Sequence, residues 1–244
     1  MKNRSQNNSR SEAERKDRRI RFNKAARKVL ELRRNPKYRD KPKQAVAEYA
    51  LTCCMTGFER ATRHFWLVVR HKWYVFLYCA YAGIPWRGFM HDWSKFSPTE
   101  FLGSIKYFNG RRSPVGLCRI LEGYSPAWLH HKGRNRHHFE FWVDVVSIKG
   151  ELPKTPDQWF TIPMPYEFAL ESICDTIGAS RAYNGRNFSY EVLYKWWKRS
   201  RTAPSMHPKT KRFADFMYET MRAEGNCSVL KKAREIYEQT HKDD

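Results

Sequence analysis

Apolar and polar residues recur along most of this chain with the spacing of an α-helix. The clearest case is Tyr166–Ala182, where apolar residues return every three or four positions. Residues 45–82 contain a single strong helix breaker, Gly57, and predict two long helices or one bent helix. Further helices are predicted at about 189–200, 208–223 and 228–240. Because no segment shows a convincing strand pattern, the sequence predicts an all-α fold.

Positive charge is concentrated at the start of the chain. Residues 1–43 carry seventeen Lys and Arg against five Asp and Glu, a net charge of +12 out of +21 for all 244 residues. A basic helix over residues 17–34 is followed by two breaks, Asn35-Pro36 and Lys41-Pro42. Basic arms of this kind often contact the phosphates of RNA or DNA, and we predict such a contact here. The alternative is a solubilising tail that makes no specific contact.

We therefore predict a basic, flexible arm at 1–44, a helical metal-binding domain at 45–224 and a C-terminal helix at 225–244. The hydrophobic content of 41% is enough to build one core.

The most apolar run, Trp73–Gly83, is too short to span a bilayer, so no membrane contact is expected. The first residues lack the apolar centre of a signal peptide, and the cysteines show no Cys-x-x-Cys pair, so reduced thiols in the cytoplasm are expected. The six cysteines are Cys53, Cys54, Cys79, Cys118, Cys174 and Cys227.

The doublet His91-Asp92 is the first candidate for chemistry. It lies between Phe89-Met90 and Trp93, on a predicted short helix, with Lys95 three residues further on. A histidine and a carboxylate in an apolar setting cost desolvation energy, which a bound metal ion would offset. The alternative is an aspartate that caps a helix beside a histidine of the core.

A second candidate is a cluster of histidines in residues 128–140. If this segment is helical, pairs seven residues apart lie two turns along one face and could share a metal. Histidine and carboxylate ligands suit Zn, Fe, Mn or Ni. The alternative, a solvated basic face, is supported by Lys132, Arg134 and Arg136. We favour metal binding because the histidines come in two adjacent pairs, His130-His131 and His137-His138.

Asp175 is the third candidate, because an aspartate is unfavourable in the middle of an apolar helix. It could complete a metal shell with His71, His91 and Asp92. The alternative is that Asp175 and Glu171 face solvent and pair with Arg181.

The order of these residues resembles the HD-type metal-dependent phosphohydrolases, which are all-α. The resemblance implies that His71, His91, Asp92 and Asp175 hold one divalent ion, and that histidines between the doublet and the last aspartate hold a second. It also implies that Lys95, in His-Asp-x-x-Lys, binds substrate phosphate.

More closely, the chain resembles the DUF5662 family of uncharacterised bacterial and phage proteins over about residues 64–224. Several motifs in the same order carry this resemblance, and the family implies no reaction by itself. Thr176 departs from its pattern, in which an aromatic residue commonly follows the aspartate. The matching segments are 91–101, Ala127–His131, Asn135–His138, Met164-Pro165, Cys174-Asp175 and Met206–Thr210.

Together these patterns predict an HD-like helical bundle that hydrolyses a nucleotide or another phosphate ester in the cytoplasm of a bacterium or a phage-infected host. The cofactor would be one or two divalent ions, with Mn, Fe, Zn, Ni and Mg not distinguished. Lys95, Asp92 and Arg181 are the predicted catalytic residues. The alternative is a nucleic-acid-binding protein whose metal is structural; a di-iron or haem role is disfavoured. The predicted metal ligands are His71, His91, Asp92, His131, His137, His138 and Asp175.

Overall fold

The structure is a computed structural model that describes residues 16, 19–20, 22–144, 160–200 and 205–242. Residues 1–15, 17, 18 and 21 of the predicted basic arm lie outside the described residues. The described α-helices are α1 (residues 22–34), α2 (Pro36–Arg39), α3 (Lys43–Cys53), α4 (Gly57–Tyr81), α5 (Pro85–Met90), α6 (Pro98–Ile105), α7 (Pro114–Glu122), α8 (Pro126–Arg134), α9 (Tyr166–Asn184), α10 (Tyr190–Arg199), α11 (Pro208–Glu224) and α12 (Ala233–Lys242).

Short elements connect these helices. The 3-10 helices are Trp93–Phe96, Phe139–Trp142, Gly185–Asn187 and Ser228–Lys232. β1 (Val143–Asp144) and β2 (Phe160–Thr161) form one antiparallel pair, in which Val143 is opposite Thr161. The structure confirms the predicted all-α fold, and this small pair is an addition that the sequence pattern did not indicate.

Local sequence explains where several helices begin. Proline at the first position has no N–H to satisfy and is already in a helical conformation, which accounts for the starts of α7 and α11. Ser189 caps α10 because its hydroxyl accepts a hydrogen bond from the backbone N–H of Val192 at 3.2 Å. Gly57 begins α4, so residues 45–82 form two helices, as one of the two alternatives predicted.

The chain divides into two compact units. The first comprises residues 1–65 and 98–128, and its buried cluster includes Val46 and Ala50 of α3 with Leu117 and Leu121 of α7. Leu32, near the end of α1, belongs to the same cluster.

The second unit comprises residues 66–97 and 129–244 and has the larger apolar core. One face of α9 supplies Leu170, Ile173 and Ile177, each no more than 2% exposed. Phe213 and Met217 of α11 are fully buried in the same cluster. Burying such side chains stabilises the fold by about 1.5–3 kcal/mol each. The opposite face of α9 carries the charged residues of the candidate site.

The sequence predicts that no segment spans a membrane and that the cysteines are reduced. Among the described residues, no helix is long and apolar enough to cross a membrane. All six cysteines are free thiols.

Candidate metal centre

The His91-Asp92 doublet lies in a tight junction between two short helices. α5 ends at Met90, and a 3-10 helix begins at Trp93, so the prediction that the doublet lies on a helix is wrong. Asp92 adopts φ 54°, and it is the only non-glycine residue with positive φ in the described part of the chain. Aspartate tolerates this conformation better than most residues, and such backbone geometry concentrates at functional sites.

The histidine cluster also differs from its prediction, because α8 ends at Arg134. The side-chain amide of Asn135 donates a hydrogen bond to the carbonyl of His131 at 2.8 Å and helps to terminate the helix. His137 and His138 follow in a turn, so the spacing of seven on one helical face does not exist. The turn instead folds these histidines back towards His131: the ring centroids of His131 and His138 are 4.8 Å apart.

Four of the predicted ligands converge in a first set: His71, His91, Asp92 and Asp175. Nε2 of His71 lies 3.1 Å from Oδ1 of Asp175 and 3.7 Å from Oδ2 of Asp92. Nε2 of His91 lies 3.0 Å from the same Asp92 oxygen and 3.3 Å from Oδ1 of Asp175. The four donor atoms, from three separate segments, therefore surround one point.

A second set shares Asp92 with the first and adds His131, His137 and His138. Nε2 of His131 and Nε2 of His137 each lie 3.4 Å from Oδ1 of Asp92. The two oxygens of Asp92 thus face two different groups of histidines, Oδ2 towards the first set and Oδ1 towards the second. A carboxylate in this position could bridge two cations.

Glu171 supports both sets from the outer side, a role that the sequence did not reveal. Its Oε1 lies 3.0 Å from Nδ1 of His91 and 3.2 Å from Nδ1 of His137. A carboxylate oxygen only accepts, so the Nδ1–H of each ring points to Glu171 and each Nε2 points into the cluster. Nε of Arg87 lies 3.2 Å from the other oxygen of Glu171 and holds the carboxylate in place. Carboxylates that orient histidines in this way are usual around protein-bound metals.

The inward-facing nitrogen and oxygen atoms are arranged as ligands of a metal ion and not as hydrogen-bond partners of one another. Within the described part of the chain, Nε2 of His71, His91 and His137 and Oδ1 of Asp92 are buried and make no hydrogen bond of normal geometry. Buried polar atoms of this kind are rare, because each costs desolvation energy. Ligands bound at about 2.0 Å in a tetrahedron are separated by about 3.3 Å. The four histidine–carboxylate separations of the first set, 3.0–3.7 Å, are close to this value.

The electrostatic environment keeps the carboxylates charged. Burial by itself would raise the pKa of Asp92, but His91, Lys95 and the neighbouring histidines hold that pKa well below its usual value. Burial opposes ionisation of Glu171 too, yet hydrogen bonds from His137 and His91 lower its pKa to about 2. Both groups are therefore available as anions at neutral pH.

The pKa values of two histidines in the cluster are shifted in opposite directions. Burial would lower the pKa of His91, but Asp92, Asp175 and Glu171 outweigh it and, among protein groups alone, raise the pKa well above 6.5. His138 is different: burial and then the neighbouring rings hold its pKa well below 6.5. His138 is therefore neutral, as a metal-binding imidazole must be, whereas a cation at the first set would have to displace a proton from His91.

Two lysines lie at the edge of the cluster. Nζ of Lys95 is 2.6 Å from Oδ2 of Asp92, and its side chain is 29% exposed. Lys72 donates a hydrogen bond to the backbone carbonyl of His91. Burial lowers the pKa of Lys72 to about 8, against the attraction of Asp92. Lys95 contacts the carboxylate of Asp92, whereas Lys72 contacts the backbone at His91.

A close approach of two helices positions His71 and Asp175. A Cβ added to Gly178 would lie 2.6 Å from Cγ2 of Val75, so only glycine permits this separation of α9 and α4. Asp175 is one turn before Gly178, and His71 is one turn before Val75. The glycine therefore sets the distance between these two candidate ligands.

Some residues considered from sequence lie elsewhere. The guanidinium of Arg181 is 4.9 Å from the ring centroid of Phe188 and 5.7 Å from that of Tyr74. Arg181 comes six residues after Asp175, so it lies on a different face of α9 from the candidate ligands. His64 packs against Phe101, as a histidine of an apolar core. His207 caps α11.

The fold and the site define an all-α protein with a buried histidine–carboxylate cluster that could hold a metal ion. The model of the "Family of unknown function (DUF5662)" matches residues 60–221, and the chain belongs to this family. Comparisons with curated proteins and with solved structures gave no match. The predicted family is therefore confirmed, while the likeness to HD-type phosphohydrolases stays a prediction.

Proposed function

We propose that this protein is a metal-dependent hydrolase of phosphate esters or anhydrides, with nucleotides among the candidate substrates. The observation that carries the proposal is the position of Asp92. Its two oxygens face separate sets of histidines, and the ammonium group of Lys95 lies on the same carboxylate. Cations held by such a cluster beside a lysine would suit an anionic phosphoryl group.

Each residue has a distinct part in this proposal. His71, His91, Asp92 and Asp175 would hold one divalent ion, and His131, His137 and His138 would hold a second with Asp92. Bound there, a divalent ion acidifies water and neutralises phosphoryl oxygens. Glu171 fixes two imidazole rings, so the protein needs little reorganisation when a cation binds.

Lys95 is the residue proposed to bind the substrate. Its side chain is 29% exposed. Burial by itself would lower the pKa of Lys95, but the negative charges of Asp92 and Asp175 raise that pKa above the usual value. It therefore remains charged at neutral pH and can pair with a phosphate oxygen that enters from outside.

The test compares Asp92→Asn with Asp144→Asn, a change of an exposed aspartate in β1. Asparagine tolerates positive φ, so Asp92→Asn keeps the backbone and removes the negative charge. We expect Asp92→Asn to lose most bound metal in elemental analysis of protein purified without chelator. Release of nitrophenol from p-nitrophenyl phosphate and its diester, with Mn, Mg, Ni or Co added, should fall at least about a hundredfold.

Asp144→Asn should retain metal and activity. Equal metal content in the two variants would defeat the metal assignment. Metal binding without hydrolysis of any phosphate ester would instead favour the structural-metal alternative, in which a closed site has no position for water.

Contact of the basic arm with RNA or DNA is a separate proposal, supported by the net charge of +12 in residues 1–43. Because Leu32 is buried in the first unit, deletion of the whole arm would disturb that core. Exposed cations are a better target: Lys24→Gln with Arg27→Gln should weaken polynucleotide binding and lower its salt dependence. Unchanged affinity and salt dependence would contradict the arm's role.

A further inference from the structure

Four aromatic side chains form a continuous row along α5 and the 3-10 helix that follows it. We call Trp86, Phe89, Trp93 and Phe96 the aromatic row. The ring centroids of Trp86 and Phe89 are 5.6 Å apart, those of Phe89 and Trp93 are 6.2 Å apart, and those of Trp93 and Phe96 are 6.0 Å apart. Each ring therefore contacts the next.

The row is exposed although its residues are among the most apolar in the chain. Trp86 is 70% exposed, Phe89 50% and Trp93 51%. Exposing three neighbouring large aromatics forfeits the free energy that their burial would supply. A contiguous apolar patch of this kind marks a surface that binds something.

The aromatic row passes beside the candidate metal centre. Trp93 directly follows Asp92, whose two oxygens face the two sets of histidines. The ammonium of Lys72 lies 4.5 Å from the ring centroid of Trp93 and also donates to the carbonyl of His91. Lys72 therefore places a positive charge between Trp93 and His91, and Lys95 places a second one beside Asp92.

We propose that the aromatic row binds the bases of a single-stranded polynucleotide, one of whose phosphates reaches Lys95 and the metal centre. Aromatic side chains stack on bases of any sequence, while nearby cations pair with the backbone. The rings repeat at 5.6–6.2 Å, which is wider than the roughly 3.4 Å rise per base in a duplex. An unstacked single strand can match this spacing, whereas a duplex keeps its base faces covered.

A lipid surface is the main alternative occupant, since exposed Trp and Phe beside lysine also suit a membrane interface. The burial of the cluster favours the polynucleotide: His91 and Asp92 are each 1% exposed, whereas Lys95 at the edge of the cluster has a side chain that is 29% exposed. A narrow, flexible strand can direct one phosphate to that edge, but a flat bilayer surface cannot. The net charge of +21 suits a polyanion.

The inference names a substrate class for the proposed hydrolase and rests on that function, but binding can be measured without hydrolysis. Fluorescence anisotropy of a labelled single-stranded deoxythymidine oligomer, with chelator present, would be compared for the full-length protein and its variants. Trp86→Ala with Phe89→Ala is the test variant. Trp66→Ala with Phe216→Ala is the matched control, because Trp66 is 65% and Phe216 50% exposed outside the row.

We expect the test variant to bind the oligomer about 10- to 100-fold more weakly, and the control variant to change less than about threefold. Inorganic polyphosphate, which has charge but no bases, should bind all variants equally. Trp86→Ala alone should give an intermediate loss, and circular dichroism checks that each variant is folded.

Three results would overturn the base-binding proposal. They are unchanged oligomer binding by the test variant, an equal loss for oligomer and polyphosphate, and a loss confined to vesicles of phosphatidylcholine and phosphatidylserine. The hydrolase proposal fails separately, if metal-loaded wild-type protein cleaves no phosphate ester while the aromatic row still governs oligomer binding.

Discussion

Two histidines of α4, His64 in the first unit and His71 in the second, are equally buried and chemically identical, but their neighbours differ. Each is 6% exposed. The ring of His64 lies 5.3 Å from that of Phe101 and 4.9 Å from that of Phe108. Nε2 of His71 lies 3.1 Å from a carboxylate oxygen of Asp175.

The comparison shows that burial alone does not identify a metal ligand. An imidazole that packs against aromatic rings, such as that of His64, contributes to an apolar core as a packing group. Burying carboxylates and further imidazoles together costs desolvation energy that apolar packing does not offset. Such a group therefore indicates a site for a bound cation.

Replacing each histidine by alanine should give opposite phenotypes. We expect His71→Ala to lose one metal equivalent after dialysis, because the first set then has three ligands. His64→Ala should keep all its metal but lose about 3 kcal/mol of stability to the cavity in an apolar core. Elemental analysis and urea unfolding of the same preparations measure both effects. Metal loss from His64→Ala with none from His71→Ala would reverse the assignment.

Glu171→Gln should have an intermediate effect, because it keeps the shape of the side chain and removes its charge. Weaker orientation of His91 and His137 should lower metal affinity about 10- to 100-fold. Competition with a fluorescent chelator gives the affinity. Glu167→Gln, on the first turn of the same helix, is the control and should leave the affinity unchanged. Equal affinities in the two variants would remove Glu171 from the site.

The pH dependence of the chelated protein should show the smallest effect. The pKa of His91 is raised above 6.5 in the folded state, so its stabilising contribution is complete below about pH 6.5 and is lost as pH rises through the raised value. The pKa of Glu171 is lowered from 4.5 to about 2, so its contribution is present above about pH 4.5 and is lost in acid.

Metal binding has the opposite trend, because protons compete with the cation for His91. We therefore expect metal to raise the melting temperature by a few degrees more near pH 8.5 than near pH 6. Thermal unfolding with and without chelator at the two pH values measures this difference. A larger metal effect at the lower pH would contradict the proposed proton displacement.

Much of the helical architecture could be predicted from local patterns. Proline and serine starts, the break at Gly57 and the apolar face of α9 are local signals, and the structure agrees with them. The position of the doublet could not be predicted in this way, because the positive φ of Asp92 depends on the surrounding fold. The turn that begins at Asn135 was also missed, since the segment reads as a continuation of α8.

Part of the candidate site could be predicted from the sequence and part could not. The histidines and aspartates stood out because they interrupt apolar or helical segments. Glu171 did not, since a glutamate on a helix normally faces solvent. The aromatic row was missed for a similar reason: Trp86, Phe89 and Trp93 suggest a buried core until their exposure is known.

By itself, the sequence determined the helical periods, the excess of positive charge and the supply of residues able to bind metal. These are properties of composition and short-range spacing. Only the tertiary structure decided which imidazole meets a carboxylate and which meets a phenylalanine. That choice depends on contacts between segments distant in the chain, such as Gly178 against Val75. Such contacts follow from packing of the whole unit and leave no periodic pattern in the sequence.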